Sequence, residues 1–170
     1  MAIIKPNNNT ISAITSLPAG VGGKVLQVVS TAKTDSFSTT SSSFTDVTGM
    51  SVSITPSSTS NKILIHCRFS TINDTGSRVN AFNLVRGSTA IAQPSSSTFQ
   101  SSVLTISSST FDNADYSPVA LHHLDSPSST SAITYKLQMR TNDGSTARIG
   151  NRSDGIMSNS SDITVMEIAG

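Results

Sequence analysis

The sequence predicts an all-β fold: an antiparallel β-sandwich of jelly-roll type, with about eight to ten strands and an extended N-terminal arm. Three observations predict it. Of the 170 residues, 34 are Ser and 21 are Thr. Their hydroxyls compete for backbone groups, so Thr favours strands and both favour turns over helix interiors. The strong helix formers are scarce, and Glu occurs only at Glu167. Apolar residues recur with period 2 in several segments, and no segment keeps a convincing period of 3.6.

Residues 1–23 read as an arm rather than as part of the sandwich. The segment contains Pro6, an Asn7-Asn8-Asn9 run, Pro18 and the break Gly20-Val21-Gly22-Gly23. It is too polar and too interrupted for the continuous apolar stretch of a secretory signal. Ile3, Ile4, Ile11, Ile14 and Leu17 are apolar enough to anchor it on a neighbour. The alternative is a frayed terminus.

The sandwich occupies residues 24–170. Its first strand is read at 24–31, with a weaker one at 43–47. Met50, Val52 and Ile54 then alternate with Ser51, Ser53 and Thr55. Ile63, Ile65, Cys67 and Phe69 share one strand face, with Leu64, His66, Arg68 and Ser70 on the other. A strand follows at 79–86, a weaker one at 101–107, and another at 119–125. Ile133, Tyr135, Leu137 and Met139 alternate with Thr134, Lys136, Gln138 and Arg140. A weak strand at 146–150 and a closing strand at 163–169 complete the set. One buried face per strand is the antiparallel pattern.

Pro56-Ser57-Ser58-Thr59-Ser60 and Pro127-Ser128-Ser129-Thr130-Ser131 repeat the same five residues, each between two alternating strands. Pro presets φ for a turn and Ser caps freed backbone groups. Both read as hairpin connections, which points to a two-sheet architecture with similar halves. Asn142-Asp143-Gly144 is a turn signal between the strands at 133–140 and 146–150.

The composition excludes several function classes. A net charge of +1 gives no electrostatic reason for a nucleic-acid partner or an acidic membrane surface. No apolar run approaches the roughly 20 residues of a spanning helix, so no membrane insertion is expected. The single Cys67 rules out an internal disulfide framework and a Cys-based zinc site.

Motifs with chemical content are few. Asp74-Thr75-Gly76-Ser77 has the D-T-G-S form of aspartic proteases, which need two carboxylates sharing a proton. It equally fits a turn, and Asn73 and Arg78 flank it where a dyad needs apolar cover. His122-His123 is the one adjacent histidine pair; strand neighbours point to opposite faces and cannot chelate one ion simply. His66 or Asp125 could add a ligand across strands. Cys67 alternates with Ile65 and Phe69 and reads as a core hydrophobe. No G-x-S-x-G is present. After Gly20 to Lys24, Val25 stands where a phosphate loop requires Ser or Thr. Four N-x-S/T sequons begin at Asn8, Asn73, Asn151 and Asn159, as many as such a composition gives by chance. No catalytic residue, metal site or cofactor is expected. Binding is expected at polar loop tips in 74–78, 93–100 and 142–154, with Asp74, Ser77, Arg78, Asn142, Asp143, Asn151 and Arg152 as candidate surface-binding residues. The plainer reading of these residues is solvated turn chemistry.

Several stretches together resemble one family. They are Lys24-Val25-Leu26-Gln27-Val28-Val29-Ser30, the 34–47 stretch with its Ser36-Phe37-Ser38-Thr39-Thr40 run, and Val52-Ser53-Ile54-Thr55-Pro56-Ser57-Ser58-Thr59-Ser60-Asn61-Lys62-Ile63-Leu64. Leu84-Val85-Arg86-Gly87-Ser88-Thr89-Ala90-Ile91, Leu124-Asp125-Ser126-Pro127 and Ile163-Thr164-Val165-Met166-Glu167-Ile168-Ala169 complete the set. The chain over 24–170 resembles the C-terminal domains of virion structural and tail-fibre proteins of tailed phages of aquatic bacteria. The resemblance implies a β-sandwich that forms a homotrimer, with variable loops contacting a receptor or host-surface glycan. The physical motive for the trimer is a sheet edge or an apolar outer face, such as Leu64 together with Leu26 and Val28, that a copy could bury. It implies localisation to the virion, contacts with other tail or capsid proteins, and no enzymatic activity. In many such proteins the domain ends a much longer fibre, whereas only a short arm precedes it here. The leading expectation is a tail-fibre or appendage tip in host attachment. The alternatives are a capsid decoration protein and a lectin-like carbohydrate-binding module, the latter weakened by scarce aromatics.

Overall fold

The computed structural model describes residues 25–75, 79–95, 104–107 and 116–170. The arm, with Ile3, Ile4, Ile11, Ile14 and Leu17, lies outside the described residues, as do Ser77 and Arg78.

Among the described residues, eleven strands run in the order β1 (Val25–Lys33), β2 (Phe37–Thr39), β3 (Thr45–Ile54), β4 (Lys62–Asn73), β5 (Val79–Arg86), β6 (Thr89–Ile91), β7 (Leu104–Ser107), β8 (Ser117–Asp125), β9 (Ile133–Thr141), β10 (Ala147–Ile149) and β11 (Ser161–Ile168). Every pairing among them is antiparallel. The first sheet is ordered β1-β11-β4-β10-β2, with β8 on the other edge of β4. The second is ordered β3-β9-β5-β6, with β7 also on β5. β10 and β11 pair with successive parts of β4, β2 and β1 follow outside them, and β6 and β7 share one edge of β5. Merging these pieces leaves two sheets of four positions each. The chain then reads as one long antiparallel ribbon, with β1 on β11, β3 on β9, β4 on β8 and β5 on β6/β7, rolled into two layers. That is the jelly roll.

The repeated Pro-Ser-Ser-Thr-Ser peptides correct the hairpin reading. The first connects β3 of the second sheet to β4 of the first; the other connects β8 of the first sheet to β9 of the second. They are the two strands of a single corner of the ribbon, bounded by Ile63 against Asp125 on one side and Ile54 against Ile133 on the other. The repeat therefore marks a place where both strands leave one sheet for the other, rather than two similar halves. Asn142-Asp143-Gly144 does form a turn, with Gly144 at φ +82°, a value that favours glycine. It too passes between sheets. A tight hairpin does join β5 to β6 through Gly87 and Ser88, with Gly87 at φ +60°.

The inward faces fill the space between the layers. Met50, Val52, Ile54, Phe82, Leu84, Tyr135, Leu137 and Met139 of the second sheet meet Ile63, Ile65, Cys67, Phe69, Ile163 and Val165 of the first in one buried cluster. The Phe69 and Phe82 rings lie 4.9 Å apart and tilted, the edge-to-face range. Polar groups close the two ends. At the corner end, Asp125 accepts two hydrogen bonds from Arg86 at 3.0 Å and one from the Tyr135 hydroxyl at 2.7 Å. At the opposite end the Asn73 amide donates to Asn80 and Ser145, and the Asn80 amide donates to Thr71.

The fold has a direction. Val25, the repeated corner and Ile168 sit at one end. The 74–75 segment and the 142–159 connection sit at the other, stitched together by Asp74 N donating to Thr146 O at 2.9 Å.

Candidate functional site

The outward face of the first sheet is ordered in rows, because four strands pair in register across it. Val28 lies opposite Met166, Met166 opposite Leu64, and Leu64 opposite Leu124. This is an apolar row spanning the whole sheet. Val28 is 56 % exposed, Leu124 47 %, and Leu26 and Val25 beside the row 49 % each. Leu64 and Met166 are half-buried between them. The next row is Ser30, Thr164, His66 and His122, and the one beyond it is Ala32, Asp162, Arg68 and Ala120. Ser30 and Thr164 share a hydrogen bond at 2.8 Å, and Arg68 Nε donates to Asp162 at 2.9 Å. Scattered exposed apolar residues are ordinary, whereas these four adjoin one another across all four strands of the sheet. Leu26, Val28 and Leu64 were readable as an apolar outer face from the sequence. Leu124 and Met166 were not, since alternation alone does not say which face of 119–125 turns outward.

The described candidate loop residues, Asp74, Asn142, Asp143, Asn151 and Arg152, lie at the end remote from Val25 and are engaged locally. Asp74 takes three hydrogen bonds from Arg148 on β10, from Nε at 2.8 and 2.9 Å and from Nη2 at 2.7 Å. A carboxylate held by a guanidinium is not placed to share a proton with a second carboxylate, so the D-T-G-S reading has no support in its surroundings. Asn142 accepts from the Val79 amide at 3.2 Å, and Asp143 caps the Ser145 amide at 3.2 Å. Asn151 bridges Ser158, and Arg152 pairs with Asp154 at 2.7 Å. The Asn151 Oδ1 and Arg152 Nε atoms are buried without a hydrogen-bond partner among the described residues. An open cleft of about 660 Å³ lies beside this connection, lined by Arg68, Phe69, Tyr116, Val119, Met157 and Asn159. Its one guanidinium, on Arg68, is already paired with Asp162.

No protein-family model matches this chain, and no curated protein matches it. Among solved structures it is similar to a chain in the structure of the Gx strain of infectious bursal disease virus, with TM-score 0.43 and 11 % identity over 84 % of this chain and 37 % of that one. A second similarity is to the crystal structure of the VP2 subviral particle of the same virus, with TM-score 0.40 and 16 % identity over 85 % of this chain and 33 % of that one. The chain thus spans about a third of the length of these structures. A likeness at this level carries nothing about a site.

The remaining reactive groups are packed away. Burial, then the nearby Asp162 charge, pushes the Cys67 thiol up to about 12, which keeps it protonated and unreactive. Asp125 is fully engaged with Arg86 and Tyr135 and is no metal ligand for His123, which turns toward the interior and is half-buried. His122 turns outward instead and faces His66 across the strands, with ring centroids 6.0 Å apart.

Proposed function

We propose that this chain is a non-enzymatic structural protein of a tailed-phage virion. In this reading the jelly roll associates with copies of itself, as a homotrimer, through the outward face of the first sheet. Residues 1–23 anchor it to other virion proteins, and the loops at the far end reach outward to a host-surface glycan as an appendage tip. The observation that carries the reading is the Val28–Met166–Leu64–Leu124 row. Water-exposed apolar groups across four registered strands gain free energy only when another surface covers them. The direction of the fold supports an appendage, since the chain enters at Val25 and the 74–75 and 142–159 segments lie at the opposite end. The resemblance of residues 24–170 to phage fibre and virion domains supplies the particle.

A reconstruction of the particle tests the reading. Density for the domain at the tail supports it. Density at local threefold positions of the capsid shell replaces it with the decoration role, and tight glycan binding by a chain found on no particle replaces it with a lectin.

A further inference from the structure

We propose that His66 and His122 form a bidentate site for a borderline divalent transition ion of the zinc, nickel and copper class on the outward face of the first sheet. The two are direct cross-strand partners of β4 and β8. Both side chains are exposed, and their rings lie 6.0 Å apart at an interplanar angle of 30°. Directly opposed residues on one sheet face hold their Cβ atoms about 5 Å apart, close enough for two imidazoles to turn onto one ion at about 2.0–2.1 Å.

Three features favour the site. Among the described residues, no side chain or backbone group hydrogen-bonds to either ring. The backbone beneath is fixed, because β4 is paired on both edges at this level, with Thr164 opposite His66 on one side and His122 on the other. The nearest cation in the adjoining row, Arg68, is neutralised by Asp162 at 2.8 Å. Imidazole is a ligand suited to zinc, copper and nickel, and two such ligands leave positions open for water or for donors of another chain. His123, the sequence neighbour, lies on the inward side of β8 and takes no part. The inference stands on this geometry and does not depend on the virion reading or on self-association.

Calorimetric titration of the full chain with zinc chloride, repeated with nickel chloride, at pH 7.5 tests it. One ion bound per chain is expected. The H66Q and H122Q variants are each expected to weaken binding by more than about tenfold, since losing a ligand costs at least as much as disturbing its supporting partners. H123Q is expected to bind as the parent does. Both substituted side chains are exposed, so thermal melts of H66Q and H122Q should overlay the parent and confirm an intact fold. No binding up to millimolar metal, or binding that survives in H66Q or H122Q, overturns the proposal.

Discussion

Glu167, the chain's sole glutamate, accepts a hydrogen bond from the Asn61 side chain, which ties the last strand of the jelly roll to its rolled corner. The same carboxylate accepts from Gln27 at 2.7 Å, from the Ser57 amide at 2.7 Å and from the Ser57 hydroxyl at 2.8 Å. Asn61 in turn accepts the Gly170 amide. One buried anion thus gathers β1, β11 and the first Pro-Ser-Ser-Thr-Ser peptide.

That arrangement sets a pH dependence. Burial alone would raise the Glu167 carboxyl, but the hydrogen bonds from Asn61, Gln27 and Ser57 outweigh it and hold it at about 2, below the ordinary 4.5. A carboxyl depressed in the folded state contributes stability that is fully present above about 4.5 and is lost as pH falls toward 2. Glu167→Gln should lower stability by about 2 kcal/mol at pH 7, the order expected for a charged hydrogen-bond acceptor among buried donors. It should also flatten the acid limb between those pH values. Urea melts of parent and variant across pH 2.5–7 check both. Parallel acid limbs would show that the corner is held by other contacts.

At the same end, the Tyr135 hydroxyl is driven above its ordinary range by burial, then by its bond to Asp125. Tyr135→Phe leaves Asp125 with Arg86 alone. A loss of about 1–2 kcal/mol is expected from the missing bond to a charged acceptor, with the fold retained. Thermal or chemical denaturation reads it. An unchanged midpoint would mean that Arg86 alone satisfies Asp125.

At the opposite end, Asp74→Asn removes the carboxylate that Arg148 grips. Both side chains are partly shielded, and the pair is multidentate, so a loss of about 1 kcal/mol is expected, shrinking at high salt. Peptide-cleavage assays of parent and variant should both show no turnover. Proteolysis by the parent, abolished in the variant, would restore the aspartic-hydrolase reading.

How much of this the sequence disclosed depends on burial geometry. The strand at 133–140 was legible because Ile133, Tyr135, Leu137 and Met139 alternate with polar residues, and β9 has one such inward face. The span 79–86 was placed correctly although β5 lacks a clean alternation: Ala81, Asn83 and Val85 are buried on its outer side, and Gln93 reaches Asn83 there. β2 and β6 were not read from the sequence, whereas β10, equally short, was marked by the Asn142-Asp143-Gly144 turn before it. Buried Ser70, Thr71 and Asn73 broke the pattern because hydrogen bonds, rather than apolar contact, bury the far end of β4. The apolar outer row was only half legible. Leu26, Val28 and Leu64 stood out in sequence, but Met166 and Leu124 joined them through register, which no single strand carries.

Association through that row is the step on which the proposed assembly depends. Covering the exposed half of four such side chains contributes on the order of 4 kcal/mol per chain, a scale that predicts micromolar rather than nanomolar assembly once association costs are met. Sedimentation equilibrium of the full chain at 1–100 micromolar, with a Val28→Ser, Leu64→Ser, Leu124→Ser triple variant alongside, tests it most directly. The parent should sediment as a trimer and the variant as a folded monomer. A parent that stays monomeric across the range, or a variant that remains trimeric, would contradict it.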